Sequence, residues 1–231
     1  MQLSIIIPAY NEAAVIAQTI AQVKKYLTDH YNSYEIIVID DKSIDSTLEI
    51  IEGIDNIRVL RNLKNHGKGY TVRKGLLASQ GDYLLFMDAD SSTSISELAK
   101  LWPYRQDYPL VIGSRAVAQA QVKIRQNIVK VILGRAGNLL SRLLIHPNIK
   151  DTQCGFKLLA RSARPVWEKL TIEDFGFDFE MIFLARKHGL AIKEVPIIWY
   201  NNFDSKVRWW HYPRTLAQLW QIRLNNLLKK Y

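Results

Sequence analysis

Residues 83–90 read YLLFMDAD: five apolar positions run without alternation into two carboxylates spaced by a single alanine. An apolar run of that length with no polar face fits a β-strand covered on both sides. Three earlier runs have the same character, 3–7 (LSIII), 35–39 (EIIVI) and 57–60 (IRVL). Between them lie helical patterns at 11–27, where Val15, Ile16, Ile20, Val23 and Leu27 repeat on one face, and at 45–54 and 68–78. Strands that alternate with helices imply right-handed crossovers and a parallel sheet. Ligands of such sheets sit beyond the carboxyl ends of the strands, so the residues just after each run are the ones to read for chemistry.

The second half is less regular. Strands are expected at 110–112, 156–159 and 191–198, helices at 163–170 and 179–188, a long basic amphipathic helix at 122–144, and a last helix starting near Pro213. No internal repeat or low-complexity linker interrupts the chain. The expected fold class is therefore α/β, a mostly parallel sheet flanked by helices, with a basic amphipathic attachment at the carboxyl terminus.

At 231 residues, 48% hydrophobic and 23% charged, the composition is that of an ordinary globular domain. One cysteine, Cys154, cannot close an intramolecular disulfide, and no charged leader precedes the first strand; both point to a reducing, cytoplasmic compartment. No stretch reaches 18 uninterrupted apolar residues. The net charge of +9 is unevenly spread: residues 109–150 and 205–231 hold 13 of the 31 Lys and Arg and none of the 22 Asp and Glu, leaving the remainder at −4. Two local cationic stretches suit an anionic partner, whether lipid phosphate, an anionic membrane or nucleic acid, or else form a solvated face.

The acids lie elsewhere. The first strand ends in Pro8-Ala9-Tyr10-Asn11-Glu12, the second in Asp40-Asp41-Lys42-Ser43-Ile44-Asp45, the fourth in Asp88-Ala89-Asp90. In a parallel sheet all three fall on one edge, where converging carboxylates repel one another and are costly to desolvate unless a cation joins them. A hard divalent ion, Mg²⁺ or Mn²⁺, is the natural candidate, because one or two carboxylates plus substrate phosphates complete its shell. Asp88 and Asp90 are the expected metal ligands, and Asp45 suits a helix start instead. An acidic rim repels a phosphate backbone, which argues against nucleic acid as partner. The position after the first strand is PAYNE and not the Gly-rich basic loop expected of a nucleotidyltransferase.

On these residues the chain resembles the family-two glycosyltransferases. SIIIPAYNE, DDKSIDST, NHGKGYTVRKGL and GDYLLFMDADSS occur in the order of that family's nucleotide-sugar half, and VIGSR, DTQCGFKLL, FGFDFE and EVPIIW are similar to its dolichyl-phosphate glucosyltransferase and polyprenyl-phosphate sugar transferase branch. The resemblance implies a glycosyltransferase A-type catalytic domain at 1–204, divided into a nucleotide-sugar half (1–114) and an acceptor half (115–204), with a basic aromatic membrane-facing helix at 205–231. It implies a nucleotide-sugar donor held by Pro8, Ala9, Tyr10, Glu12, Asp41, Lys68, Asp88 and Ala89, with Lys206 and Arg208 clamping the diphosphate. The acceptor implied is a polyprenyl phosphate, met by Arg115, and the product a β-linked lipid-phosphate hexose from one in-line displacement of UDP-glucose. The alternative is a GDP-mannose enzyme like the dolichyl-phosphate mannose synthases, or another acceptor. Asp151, Gln153, Asp178 and Glu180 are expected across the sugar from Asp90, Asp151 being favoured wherever a proton is taken. Such enzymes work at membranes, and Trp209, Trp210, Tyr212, Trp220 and Tyr231 among six basic residues suit peripheral attachment to an anionic cytoplasmic leaflet. A homo-oligomer is left open.

Overall fold

A computed structural model describes residues 1–122, 141–200 and 211–231. Its first half is a regular alternation: β1 (Leu3–Ala9), α1 (Ile16–His30), β2 (Tyr34–Asp40), α2 (Thr47–Glu52), β3 (Arg58–Arg61), α3 (Lys68–Ala78) and β4 (Tyr83–Met87). After the short helix α4 (Leu98–Leu101) come β5 (Leu110–Ser114), β6 (Gln121–Val122), β7 (Phe156–Ala160), α5 (Arg164–Glu168), α6 (Phe177–Lys187), β8 (Ile192–Pro196), β9 (Ile198–Trp199) and α7 (His211–Leu227). The main sheet has the order β3-β2-β1-β4-β7-β5-β8, and β6 pairs with β9 separately. Only β7 runs antiparallel to its neighbours, β4 and β5, so the sheet is mostly parallel.

The apolar runs lack alternation because both faces of the sheet are covered. Ile6, Ile37, Ile39, Leu84 and Phe86 point to one core, shared with α3, α5, α6 and α7. Their neighbours Ile5, Ile7, Ile36, Val38 and Leu85 point to the other, closed by α1, α2 and α4. The period-two geometry of a strand thus sends one sequence run into two cores.

Two expectations are corrected. The first helix starts at Ile16 and not at Asn11, because residues 10–15 form a turn pinned to the loop after β2: Asn11 has φ 54°, its Oδ1 accepts from the Ile44 N–H at 2.8 Å, and the Glu12 N–H donates to Thr47 Oγ1 at 2.7 Å. The last helix is no loose attachment. Leu219 and Ile222 are buried in the first core, Gln218 Oε1 accepts from the Gly176 N–H at 2.8 Å, and the Tyr231 hydroxyl donates to Glu180 Oε1 at 2.5 Å, which ties the carboxyl-terminal segment to the domain. Most of the expected 122–144 helix, together with Lys206, Arg208, Trp209 and Trp210, lies outside the described residues, and 141–144 forms a helical turn.

Candidate active site

The ends of β1, β2, β4 and β5 share one edge of the sheet, bringing PAYNE, Asp40-Asp41, Asp88-Ala89-Asp90 and Arg115 to one rim. Its centre is an ion pair, Lys68 Nζ to Asp88 Oδ1 at 2.7 Å. Lys68 opens α3, where Gly67 precedes it with φ 101°. That backbone favours glycine, and a Cβ at 67 would meet the Glu173 carbonyl oxygen at 2.6 Å, so the lysine's turn is set by close packing on the 172–174 loop. Burial opposes the Lys68 ammonium, but the charges of Asp88, Asp178 and Asp90 outweigh it and raise its pKa.

Asp90 follows at the tip. Its Oδ1 accepts from the Ser92 N–H at 2.9 Å, and Thr19 ties the turn by donating to the Ala89 carbonyl at 2.7 Å. Burial and the charge of Asp88 push the Asp90 carboxyl above its ordinary range. Two carboxylates one residue apart on a partly wet edge are a donor set that a hard divalent ion relieves, and their oxygens suit Mg²⁺ or Mn²⁺. Among the described residues no group of three or more His, Cys, Asp or Glu gathers to hold an ion alone. The pair fits a metal that takes its remaining ligands from phosphate.

Asp41 lies beneath the loop that carries Lys68. It is buried, with Oδ1 accepting from Asn62 Nδ2 at 2.7 Å and from the His66 N–H at 3.0 Å, and Oδ2 accepting from the Gly67 N–H at 2.7 Å. Its carboxylate therefore braces the loop that delivers Lys68. Asp40 similarly accepts from the Ser43 N–H, and Asp45 accepts from the Thr47 N–H at the start of α2. Pro8 and Glu12 are half-buried, Ala9 and Ala89 buried, and Tyr10 exposed beside the rim.

Arg115 and Asp151, separated by 36 positions, form one unit. Asp151 Oδ2 accepts from Arg115 Nε at 2.8 Å and from its backbone N–H at 2.9 Å, and Oδ1 accepts from Nη2 at 2.9 Å. The guanidinium also lies 5.3 Å from the centre of the Trp199 ring. Burial would raise the Asp151 carboxyl, but Arg115 outweighs it and holds it below the usual carboxylate range. Glu194 steadies the unit by accepting from Ser114 Oγ at 2.8 Å and from the Asp151 N–H at 2.9 Å. Arg115 is thus no solitary anion site and Asp151 no solitary base. Gln153 stands exposed on the same loop.

Asp178 and Glu180, both expected across the sugar, face different ways because residues two apart on a helix point about 200° apart. Asp178 turns to the sheet and receives the buried Lys157 ammonium. Burial pushes its carboxyl up, while Lys157 and Lys68 pull it back. Glu180 turns away from the rim, accepting from the Thr171 and Ile172 N–H groups at 2.9 and 2.8 Å and from Thr171 Oγ1 at 2.6 Å. It fixes the start of the 171–174 loop. Cys154 is packed, its thiol pushed up to about 12 by burial and the charge of Asp151. Sequence reasoning missed Lys157, Asn62 and Trp199; the signal for Lys157 was a lysine inside the apolar strand FKLLA.

Residues 4–165 match the sequence profile described as Glycosyl transferase family 2. The chain belongs to that family. Family-two relatives include the dolichyl-phosphate beta-glucosyltransferase of Dictyostelium discoideum, 34% identical over 223 residues that cover 89% of this chain and 68% of the relative. The Homo sapiens enzyme of the same name is 31% identical over 246 residues, covering 98% and 76%. Among solved structures, mannosyl-3-phosphoglycerate synthase from Rubrobacter xylanophilus superposes with a TM-score of 0.76 at 16% identity, over 100% of this chain and 75% of that one. Glucosyl-3-phosphoglycerate synthase from Mycobacterium tuberculosis, crystallised with Mn²⁺, UDP-glucose and glycerol 3-phosphate, gives 0.70 at 19% identity, over 97% and 79%. The fold is the glycosyltransferase A type.

Proposed function

We propose that this family-two chain transfers glucose from UDP-glucose to a dolichyl or other polyprenyl phosphate, with inversion to a β-linked lipid-phosphate sugar. The observation that carries the reading is the Lys68–Asp88–Asp90 constellation at the tip of β4, in a chain about one-third identical to dolichyl-phosphate beta-glucosyltransferases over most of its length.

A bound Mg²⁺ or Mn²⁺, held by Asp88 and Asp90, supplies electrostatic stabilisation of the diphosphate. The chain's own residues do the rest. Lys68 offers a cation within reach of the donor phosphates, on a turn kept in place by Asp41. Pro8, Ala9, Tyr10 and Glu12 serve the base and ribose, and Lys206 and Arg208, outside the described residues, are the cations assigned to the diphosphate. Arg115, oriented by Asp151 through Nε and Nη2, meets the acceptor phosphate with Nη1, the guanidinium nitrogen that pairing does not use. A phosphate monoester is largely dianionic at neutral pH, its second pKa lying near 6, so it attacks without a strong base. Binding of two anions in line is then the main demand, and preorganised cations meet it.

The same reading places the protein on a membrane surface, peripherally and on the cytoplasmic face. Among the described residues no helix is long and apolar enough to cross a membrane. Along α7 and just beyond it, Trp220, Leu224, Leu227 and Leu228 are exposed at helical spacing, beside Lys229 and Lys230 and with no acid after Asp204. Flotation with phosphatidylserine vesicles at low salt is the check: the wild type is expected to float and Trp220→Glu/Leu224→Glu to stay below, and equal behaviour of the two removes this face.

The transfer itself is tested by incubating the protein with dolichyl phosphate, Mn²⁺ or Mg²⁺ and a panel of labelled UDP- and GDP-sugars, followed by organic extraction. Label from UDP-glucose is expected in the organic phase. Label from GDP-mannose alone selects the alternative donor.

A further inference from the structure

The Lys68–Asp88 contact is the outer end of a longer row of charges. Lys157 is the second residue of β7, between Phe156 and Leu158, with none of its side chain exposed. A buried ammonium costs several kcal/mol unless well paired. Its Nζ donates to the Cys154 carbonyl at 2.5 Å and to Asp178 Oδ1. The Cys154 carbonyl belongs to the peptide that leads into Gly155. There, the Gly155 carbonyl accepts from the Asp88 N–H at 3.1 Å, and the Asp88 carboxylate covers the glycine so closely that a Cβ has no room. The two ammoniums lie 5.8 Å (Lys157) and 5.4 Å (Lys68) from the centre of the Phe86 ring, and the charge of Asp178 acts on Lys68. From core to rim the signs alternate: Lys157, Asp178, Lys68, Asp88.

We propose that Lys157 is a positioning residue for the transfer: through the Cys154 carbonyl it fixes the Gly155 peptide beneath Asp88, with Asp178 holding the Lys157 ammonium in place. What Asp88 and Lys68 do for the donor rests on the proposed function; the positioning itself does not. Exchange of a buried ion pair for apolar residues of similar volume is often neutral for stability, so a folded double variant shows whether the pair also orders the rim.

The test compares the wild type with Lys157→Met, Asp178→Asn and the double variant Lys157→Met/Asp178→Leu. Thermal melting, amide hydrogen exchange over residues 86–91, and UDP binding with Mn²⁺ by calorimetry are read for each. The double variant is expected to melt close to the wild type, to exchange faster at 86–91 while residues 3–9 keep their protection, and to bind UDP with Mn²⁺ about tenfold or more weakly, the usual cost of losing support behind a metal site. Wild-type exchange and affinity in a folded variant overturn the proposal, and so does failure of all three variants to fold, which would make the pair structural only. A wild type without metal-dependent UDP affinity defeats the proposed function, while the exchange at 86–91 still decides the positioning.

Discussion

Replacing Asp151 by asparagine removes the charge from the most fully paired carboxylate of the rim. Asp151 accepts three hydrogen bonds from Arg115 and is almost fully buried, whereas about a third of the arginine side chain reaches solvent. Breaking a buried pair by removing one partner costs about 3–5 kcal/mol. The exposure of Arg115 lets it recover some hydration, so the lower end, about 3 kcal/mol, applies. An asparagine also presents an NH₂ group to one of the guanidinium N–H donors, so at least one hydrogen bond is lost outright. For a chain of this size that amounts to a fall of roughly 6–12 °C in melting temperature. Urea unfolding at pH 7 followed by tryptophan fluorescence measures it. Because Arg115 holds the folded-state pKa of Asp151 below its unfolded value, the difference between wild type and variant should be fully present above the unfolded pKa of about 3.9 and disappear as pH falls through the folded value. A difference below about 0.5 kcal/mol at pH 7, the scatter of ordinary surface substitutions, would show that the pair does not stabilise the fold, as would a gap that widens on acidification.

Three further outcomes are expected. Gly155→Ala drives a methyl group into the Asp88 carboxylate and should weaken Mn²⁺-dependent UDP binding about tenfold or more, measured by calorimetry on folded protein. Glu180→Gln turns an amide against the donors at 171 and 172 and should destabilise the fold by about 1.5–3 kcal/mol in urea. It should leave the KM for UDP-glucose unchanged per folded molecule, since Glu180 faces away from the rim. Cys154, with its thiol pushed up to about 12, should resist iodoacetamide at pH 8 in the native state, and Cys154→Ala should keep transfer activity.

The strands were legible because both faces of the sheet are covered, which leaves an apolar signature whatever lies above or below. Helix α3 was legible to the residue, since Gly67 and Lys68 mark its start and Ser79 its end. The start of α1 was not, because Asn11 caps a turn as readily as a helix and only Ser43, Ile44 and Thr47, more than thirty positions on, decide between them. The same limit governs the site. Asp41, Asp88 and Asp90 look alike in sequence, each an acid just past a strand, yet Asp41 is occupied by the 62–67 loop. Asp178 and Glu180 read as one motif until the helix turns them apart. The pairing of Arg115 with Asp151 and of Lys157 with Asp178 depends on where β5, β7 and α6 meet, and no local pattern records that.

On this reading Asp88 and Asp90 bind a divalent ion together with a nucleoside diphosphate. Calorimetric titration of UDP into the protein with and without Mn²⁺, repeated with Asp90→Ala, measures it most directly. Affinity should require the metal and vanish in the variant. UDP binding that is equal without Mn²⁺, or that survives in Asp90→Ala, would contradict the account.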